Sequence, residues 1–349
     1  MANEDDVEPA ARSGRRPKSA ATIYDIAKLA GVNPSTVSRA LGKPGRINVK
    51  TEARIQAAAK ELNYRINPMA RALPTGRTNT LGLLVADFTN PMFFDVVRGA
   101  ERAASLRGYI LVLAESQESE EREAEAAERV APSVDGLILV TTRLSDDRIR
   151  ELAGRKPLVV LNREVDGVCG IVPDLRPGIE QALAHLASDG HTALAFLSGP
   201  ANSWMSRARW EILLAEAPAR GMTIVEIGPG APTLDGGRDA LSRVIASGVS
   251  AVMAYNDLMA IGLMRAAQEA DLTVPGRLSV IGFDDIFGSD FTSPQLSTIR
   301  TPLGQVGELA VKSALLLIDE ESAPAPQSDG HDALSTELVV RGSTGPIQR

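Results

Sequence analysis

The sequence predicts a small all-α helix-turn-helix module followed by a large α/β module of two lobes, each built on a doubly wound parallel sheet. Three observations carry this. Short, well-capped helical patterns fill residues 22 to 65, apolar runs alternate with helical patterns from residue 80 onward, and charge divides sharply between the two parts.

Residues 20 to 78 hold ten Lys and Arg against three acids, a net of +7, while residues 1 to 19 balance at four against four. The whole chain of 349 residues carries −7, so the remaining 271 carry −14. A basic module joined to an acidic one suggests a polyanion partner for the first only. No run of 18 apolar residues is present to cross a bilayer, the first 20 residues lack a secretory signal's apolar stretch, and Cys169, the single cysteine, excludes an intrachain disulfide. These features place the chain in the cytoplasm, with no membrane partner.

The first helical pattern, "TIYDIAKLAG", has Thr22 as its cap, Ile23, Ile26, Ala27 and Ala30 as its apolar face, and Gly31 as its stop. The second, "NPSTVSRALG", starts three residues later. Asn33 caps it, Pro34 takes the first helical position, Val37 and Leu41 face inward, and Gly42 ends it. The third, "NVKTEARIQAAAKELNY", is capped by Asn48 and buries Ile55, Ala59 and Leu62. Two helices joined by so tight a turn can place the second in a DNA major groove, where Pro34, Ser35, Thr36, Ser38 and Arg39 would face outward. Hydroxyls suit phosphate and base-edge contacts, and Arg39 suits a bidentate pair with guanine.

A short segment, "NPMARALPTG", follows: Asn67 and Pro68 open a helix that Pro74 ends at once. It holds about two turns, well under the ~12 residues an isolated helix needs in water.

Together, "TIYDIAKLAGVNPSTVSRAL" and "LNYRINPMARAL" resemble the headpiece and hinge of the LacI/GalR family of bacterial transcription regulators. The resemblance implies base reading by Pro34, Ser35 and Arg39 and phosphate contacts by Thr36, Ser38 and Asn48, and it adds Thr22, Tyr24 and Ala70 to the DNA-binding set. It further implies that the hinge becomes helical on the operator, where Leu73 enters the central base step from the minor groove and kinks the duplex. Pro74 departs from the basic or small residue common in relatives and shortens the hinge helix.

From residue 80, the runs "TLGLLVAD", "YILVLAES", "DGLILVT" and "PLVVLNR", then "ALAFLSG", "MTIVEIG", "SAVMAYND" and "LSVIGFDD", read as parallel strands between helices. They form two similar lobes, with chain crossings expected near residues 162 to 175 and 286 to 302. Ligands of such sheets bind beyond the carboxyl ends of the strands. Asp87, Asn162, Arg163, Asn256, Asp257, Asp284 and Asp285 stand there, and Arg209 follows "FLSGP". For Asp257 and Asp285 a helix cap is an equal reading. Asp284 and Arg209 suit the vicinal hydroxyls of a polyol. Aromatic residues number 13, leaving Phe93, Trp204, Phe283 and Phe291 as candidate stacking faces, whereas Trp210 reads as core.

"GPANSWMSRARW", "AYNDLMAIG" and "LSVIGFDD" extend the family resemblance to the rest of the chain, a periplasmic-binding-protein-like core. By it Arg209, Asn256 and Asp284 contact an effector, with Phe93, Asn162, Ser203 and Met205 lining the cleft; Arg163, common in relatives, hints only weakly at an anionic ligand. The domains implied are an extension over 1–19, the helix-turn-helix over 20–65, a hinge over 66–78, and an effector-binding and dimerisation module over 79–349.

Catalytic constellations are missing. His185 and His191 lack the spacing of a helical metal pair, His331 is remote, and no phosphate-binding or nucleophile-elbow motif occurs. The reading is therefore a non-enzyme without cofactor or metal. It binds double-stranded, roughly palindromic operator DNA as a homodimer, the chain ending soon after "LSTELVVRGST" without a tetramerising heptad helix. A sugar or sugar derivative controls it, with a nucleobase, nucleoside or other small metabolite as the alternative. A sugar-transport receptor shares the two-lobed fold but leaves the basic module unexplained.

Overall fold

Thr22 closes the start of the first helix, its hydroxyl donating to Asp25 at 2.7 Å while Asp25 also accepts from the Thr22 N–H at 2.8 Å. The structure, a computed structural model, describes residues 21–42, 47–64, 76–319 and 334–347. It divides into two compact units between Gly76 and Arg77.

In the first unit, α1 (Ile23–Ala30), α2 (Pro34–Gly42) and α3 (Val49–Glu61) stand where the sequence predicts them. Gly31 ends α1 with a φ of 62°, a left-handed conformation that costs glycine little. Ile26, Val37 and Ile55, one from each helix, are fully buried together with Ala27, Ala30, Ala40 and Ala58. Ala58 is the buried alanine of α3, one residue before the Ala59 expected there; Ala59 and Leu62 pack partly against the same cluster. The hinge positions Ala70, Leu73 and Pro74 lie outside the described residues.

The second unit holds both lobes. Its first sheet runs in the order β2-β1-β3-β4-β5, all parallel. The elements are β1 (Thr80–Val85), α4 (Met92–Leu106), β2 (Ile110–Glu115), α5 (Glu120–Val130), β3 (Gly136–Val140), α6 (Asp146–Ala153), β4 (Leu158–Leu161) and β5 (Cys169–Ile171). Along β1 the side chains alternate between two cores: Leu81, Leu83 and Val85 join one, Leu84 the other.

The second lobe continues with α7 (Arg176–Ser188), β6 (Ala193–Leu197), α8 (Trp204–Glu216), β7 (Thr223–Ile227), α9 (Leu234–Ser247), β8 (Ala251–Ala254), α10 (Asp257–Glu269), β9 (Ser279–Asp284) and β10 (Ser297–Arg300). Then come α11 (Leu303–Asp319) and β11 (Glu337–Val339). The sheet order is β11-β10-β9-β8-β6-β7, with only the β10–β11 pair antiparallel.

All eight apolar runs are strands. The first crossing between lobes follows β5 and the second follows Arg300, because β10 still pairs with β9. A third crossing was not foreseen: α11 packs its Leu303, Val306, Ala310 and Ala314 into the first lobe, and the chain then returns to place β11 in the second sheet. Three strands, β5, β10 and β11, also escaped the sequence reading. β10 buries Ser297 and Thr298, whose hydroxyls bond Thr344 at 3.0 Å and Asp257 at 2.5 Å, so hydropathy carries no signal there.

Two helix pairs approach so closely that only glycine fits at the contact. A Cβ on Gly262 of α10 would lie 1.9 Å from the Leu234 carbonyl oxygen of α9, and one on Gly307 of α11 would lie 2.0 Å from that of Val96 in α4. Among the described residues no helix is long and apolar enough to cross a membrane.

Candidate functional site

Two surfaces carry the candidate residues. On the first unit, α2 exposes Ser35, Ser38 and Arg39, while Pro34 and Thr36 are half-buried at its first turn. Arg39 Nε donates to the Ser35 carbonyl at 3.3 Å, which leaves its terminal nitrogens directed away from the core. Tyr24 on α1 is 69% exposed, and Asn48, exposed, caps α3 by accepting from the Lys50 N–H at 3.0 Å. Thr22 is exposed with its hydroxyl engaged by Asp25. A helix N-terminus carrying hydroxyls, followed by an arginine, offers N–H groups and a guanidinium to phosphates and base edges.

The second surface is a narrow polar cleft in the second unit, between the two lobes. Each strand of the doubly wound sheets ends in a loop, and the loops after β1, β2, β3, β4, β7 and β8 converge here with the last residue of β9. Phe93, Asn162, Met205, Arg209, Asn256 and Asp284, six of the seven effector residues expected from the sequence, line it. Ser203 does not. Its hydroxyl accepts from the Ser206 N–H at 3.2 Å, capping α8, and bonds the Tyr255 hydroxyl at 3.1 Å, so Ser203 supports a wall instead of facing the cavity.

Arg209 and Asp284 form the floor. A guanidinium nitrogen lies 3.2 Å from Asp284 Oδ1, another donates to the Tyr255 carbonyl, and both partners are buried. The guanidinium stacks 3.6 Å above the Phe283 ring centroid and 4.9 Å from that of Tyr255. Its Nε is buried and makes no hydrogen bond among the described residues. Burial drives the Asp284 carboxyl up to about 6, and the charge and hydrogen bond of Arg209 only partly offset it.

Asn256 caps α10, accepting from the Met259 N–H at 2.9 Å and donating to the Pro232 carbonyl at 2.9 Å. Asp257, fully buried, is therefore not the cap. It accepts from the Thr298 hydroxyl and from the Ile286 N–H at 2.8 Å, and burial and the neighbouring Asp284 raise its pKa well above the usual carboxylate range. Asp285 is no cap either: Arg341 at 2.6 Å, Arg300 at 2.8 Å and Ser289 at 2.9 Å all bond it. Asp87 caps its own turn by accepting from the Thr89 N–H at 2.7 Å.

Arg163, read as a weak sign of an anionic ligand, turns away. It donates to the Leu144 carbonyl and to Asp146, both at 2.6 Å, and so fastens the loop after β3. Among the aromatic candidates Phe93 lines the cleft, Phe283 lies beneath Arg209, and Trp204 faces a separate groove. Phe291 is 71% exposed beside Phe287. Trp210 stacks on Phe196 in the core, as expected.

The sequence reading missed Asn90, Glu118, Thr141, Arg143 and Tyr255, all of which line the cleft. Arg143, almost fully buried, is paired to Glu118 at 2.7 Å. Its signal was available: Glu118 and Arg143 lie three residues beyond the ends of β2 and β3, where cleft residues belong. His191 bonds Ser250 at 2.8 Å and Ser279 at 3.0 Å and is a buried structural residue; His185 bonds Thr344 at 2.9 Å. No cluster of metal-ligating side chains occurs among the described residues.

Comparison with known proteins finds matches to both units. Residues 22–67 match the model for "Bacterial regulatory proteins, lacI family", and residues 183–344 match the model for a periplasmic binding protein-like domain. The chain is 35% identical over 334 residues to the ribose operon repressor of Escherichia coli K12, covering 93% of this chain and 99% of that one. It is 32% identical to the HTH-type transcriptional regulator GalR of the same organism, covering 87% and 91%. A crystal structure of the Lac repressor dimer bound to operator and the anti-inducer ONPF superposes with a TM-score of 0.82 at 26% identity, over 94% of this chain and all of that one. A LacI family transcriptional regulator from Enterococcus faecium with bound ribose superposes at 0.67 and 28% identity, over 77% and 100%. A three-helix headpiece with an exposed recognition helix, a two-lobed module with a polar cleft, and relatives that match from end to end lead to one conclusion: this chain belongs to the lacI family of bacterial regulatory proteins, DNA-binding regulators of transcription.

Proposed function

We propose that this regulator binds a roughly palindromic operator as a homodimer and that a small neutral sugar of the pentose class, held in the cleft, sets its operator affinity. The observation that carries the sugar reading is the charge balance of the cleft. Two guanidiniums, Arg209 and Arg143, are each neutralised by a carboxylate, Asp284 and Glu118, so the site offers many directed donors and acceptors with no net charge. That suits a polyol, and Phe93 adds an apolar face. The diversion of Arg163 removes the best candidate for an anion. The ribose operon repressor and the ribose-bound regulator among the relatives point to the same ligand size.

The homodimer reading rests on an apolar edge. β2 closes one side of its sheet and exposes Ile110, Val112 and Leu113 at 63%, 37% and 41%. Residues 66–78 serve as the hinge between a 20–65 headpiece and a 79–349 effector module, with Leu73 as the minor-groove wedge. The protein binds its ligand without transforming it, uses no cofactor, and acts in the cytoplasm, where the chromosome is.

Gel-shift titration with promoter DNA, with and without ribose, at two salt concentrations tests this. Salt-sensitive binding that ribose alters is the expected result. A response to nucleosides but not to pentoses would overturn the sugar reading and leave the regulator reading standing.

A further inference from the structure

Two loops of the first lobe hold a single ion pair at the cleft. The loop after β2 is anchored by the Ser116 N–H on the Val85 carbonyl at 3.0 Å and by the Glu118 N–H on the Ala86 carbonyl at 3.2 Å. The loop after β3 is anchored by Arg163, which donates to the Leu144 carbonyl at 2.6 Å, and by Glu123, which accepts from the Arg143 N–H at 2.8 Å. The Ser145 N–H donates to Glu120 at 3.1 Å and ties one loop to the other. Gln117, Glu118 and Thr141 all take left-handed backbone, with φ of 52°, 59° and 55°. Residues with a side chain adopt it only where their surroundings enforce it, and they gather at ligand clamps. Within this frame Glu118 Oε2 lies 2.7 Å from both Nε and Nη2 of Arg143. Both residues line the cleft, but the Arg143 side chain is 3% exposed and that of Glu118 27%, so the carboxylate is the half of the pair that a ligand meets.

We propose that Glu118 is a specificity-determining residue that closes the cleft to phosphorylated and acidic sugars. By occupying the Arg143 guanidinium it masks a ready anion site, since a buried planar fork of donors is what a phosphate or carboxylate seeks. Both loops are pinned, so Glu118 cannot swing aside. An anionic ligand must therefore share the narrow cleft with the Glu118 carboxylate, and like charges at such separations repel strongly. A sugar hydroxyl meets no such barrier and can donate to the same carboxylate. Selection thus works by repelling the wrong ligand as well as by holding the right one. The class of ligand admitted rests on the neutral-sugar reading above; the masked anion site does not.

The test compares full-length wild type, Glu118→Gln and the double variant Glu118→Gln with Arg143→Met. Glu118→Gln keeps the shape of the side chain and leaves the guanidinium without its counter-charge. Calorimetry measures binding of ribose, ribose 5-phosphate and inorganic phosphate, and circular dichroism follows thermal unfolding. Glu118→Gln is expected to bind ribose 5-phosphate at least about tenfold more tightly than wild type does. Inorganic phosphate should raise its melting temperature and leave that of wild type unchanged. Both gains should vanish in the double variant. If Glu118→Gln folds only when phosphate is added, that rescue supports the filter as well. No gain for either phosphate in Glu118→Gln overturns the proposal, as does a gain that survives in the double variant. Wild-type protein that binds ribose 5-phosphate as tightly as ribose overturns it whatever the variants do. If wild type binds no ribose, the pentose reading fails, and the phosphate measurements on Glu118→Gln still decide the masked site.

Discussion

The guanidinium of Arg209 lies flat on the ring of Phe283, 3.6 Å from its centroid, and reaches the carboxylate of Asp284, the next residue along β9. One side chain of α8 thus reads two consecutive residues of a strand, because the backbone at Asp284 adopts a φ of 107° and does not continue the strand's alternation. Arg209→Lys keeps the charge but loses the planar fork and the stack. Operator binding is expected to stay within about twofold of wild type while the sugar response disappears. Gel shifts with and without ribose check this, and a retained response would move the effector floor elsewhere.

Asp284 also makes stability depend on pH. Burial lifts its carboxyl from the usual 3.8 to about 6 against the pull of Arg209, so the folded protein holds a proton that the unfolded chain has released. Stability therefore falls as pH rises from about 4 to 6 and levels off above that range. Asp284→Asn removes this contribution, and the gap between the urea midpoints of the two proteins should change with the wild-type slope in that window. Parallel curves would show that the carboxyl titrates normally.

On the headpiece, Arg39→Ala is expected to lose about 1 to 3 kcal/mol of discrimination at one operator base pair. Binding competition with single-base operator variants measures it. Equal weakening against every sequence would assign Arg39 to phosphate instead.

For the hinge, Leu73→Ala should weaken operator binding by a few kcal/mol, about thirtyfold or more, with effector affinity intact. Calorimetry with effector alongside gel shifts separates the two effects, and unchanged operator affinity would remove the wedge.

Gly262→Ala tests the α9–α10 contact. The added methyl would sit 1.9 Å from the Leu234 carbonyl oxygen, forcing the helices apart, and a loss of about 1 to 3 kcal/mol in urea unfolding is expected. A neutral outcome would mean that the pair slides freely.

Eight of the strands and the three headpiece helices were legible because each is announced by a continuous apolar run or by caps, such as Thr22 with Asp25. Strand-end position found Asp284, Asn162 and Asn256, since doubly wound sheets gather ligands at that edge, whereas Arg209, inside α8, came from the family resemblance. The same rule would have found Arg143 and Glu118, but they sit three residues past their strands, where a loop reading prevails. The direction of Arg163 could not be read, because two acceptors on the loop after β3, distant in sequence, decide it. β10 stayed hidden because its buried hydroxyls are satisfied by side chains from α10 and the C-terminal segment.

The late return of α11 to the first lobe has a consequence for biosynthesis. The five strands of that lobe leave the ribosome by residue 171, yet the apolar face that Leu303, Val306, Ala310 and Ala314 cover stays bare until well past residue 300. For the time taken to translate the whole second sheet, the nascent chain displays Leu81, Val159 and Leu161 without their native cover, a ready surface for a chaperone or for a neighbouring polysome's chain.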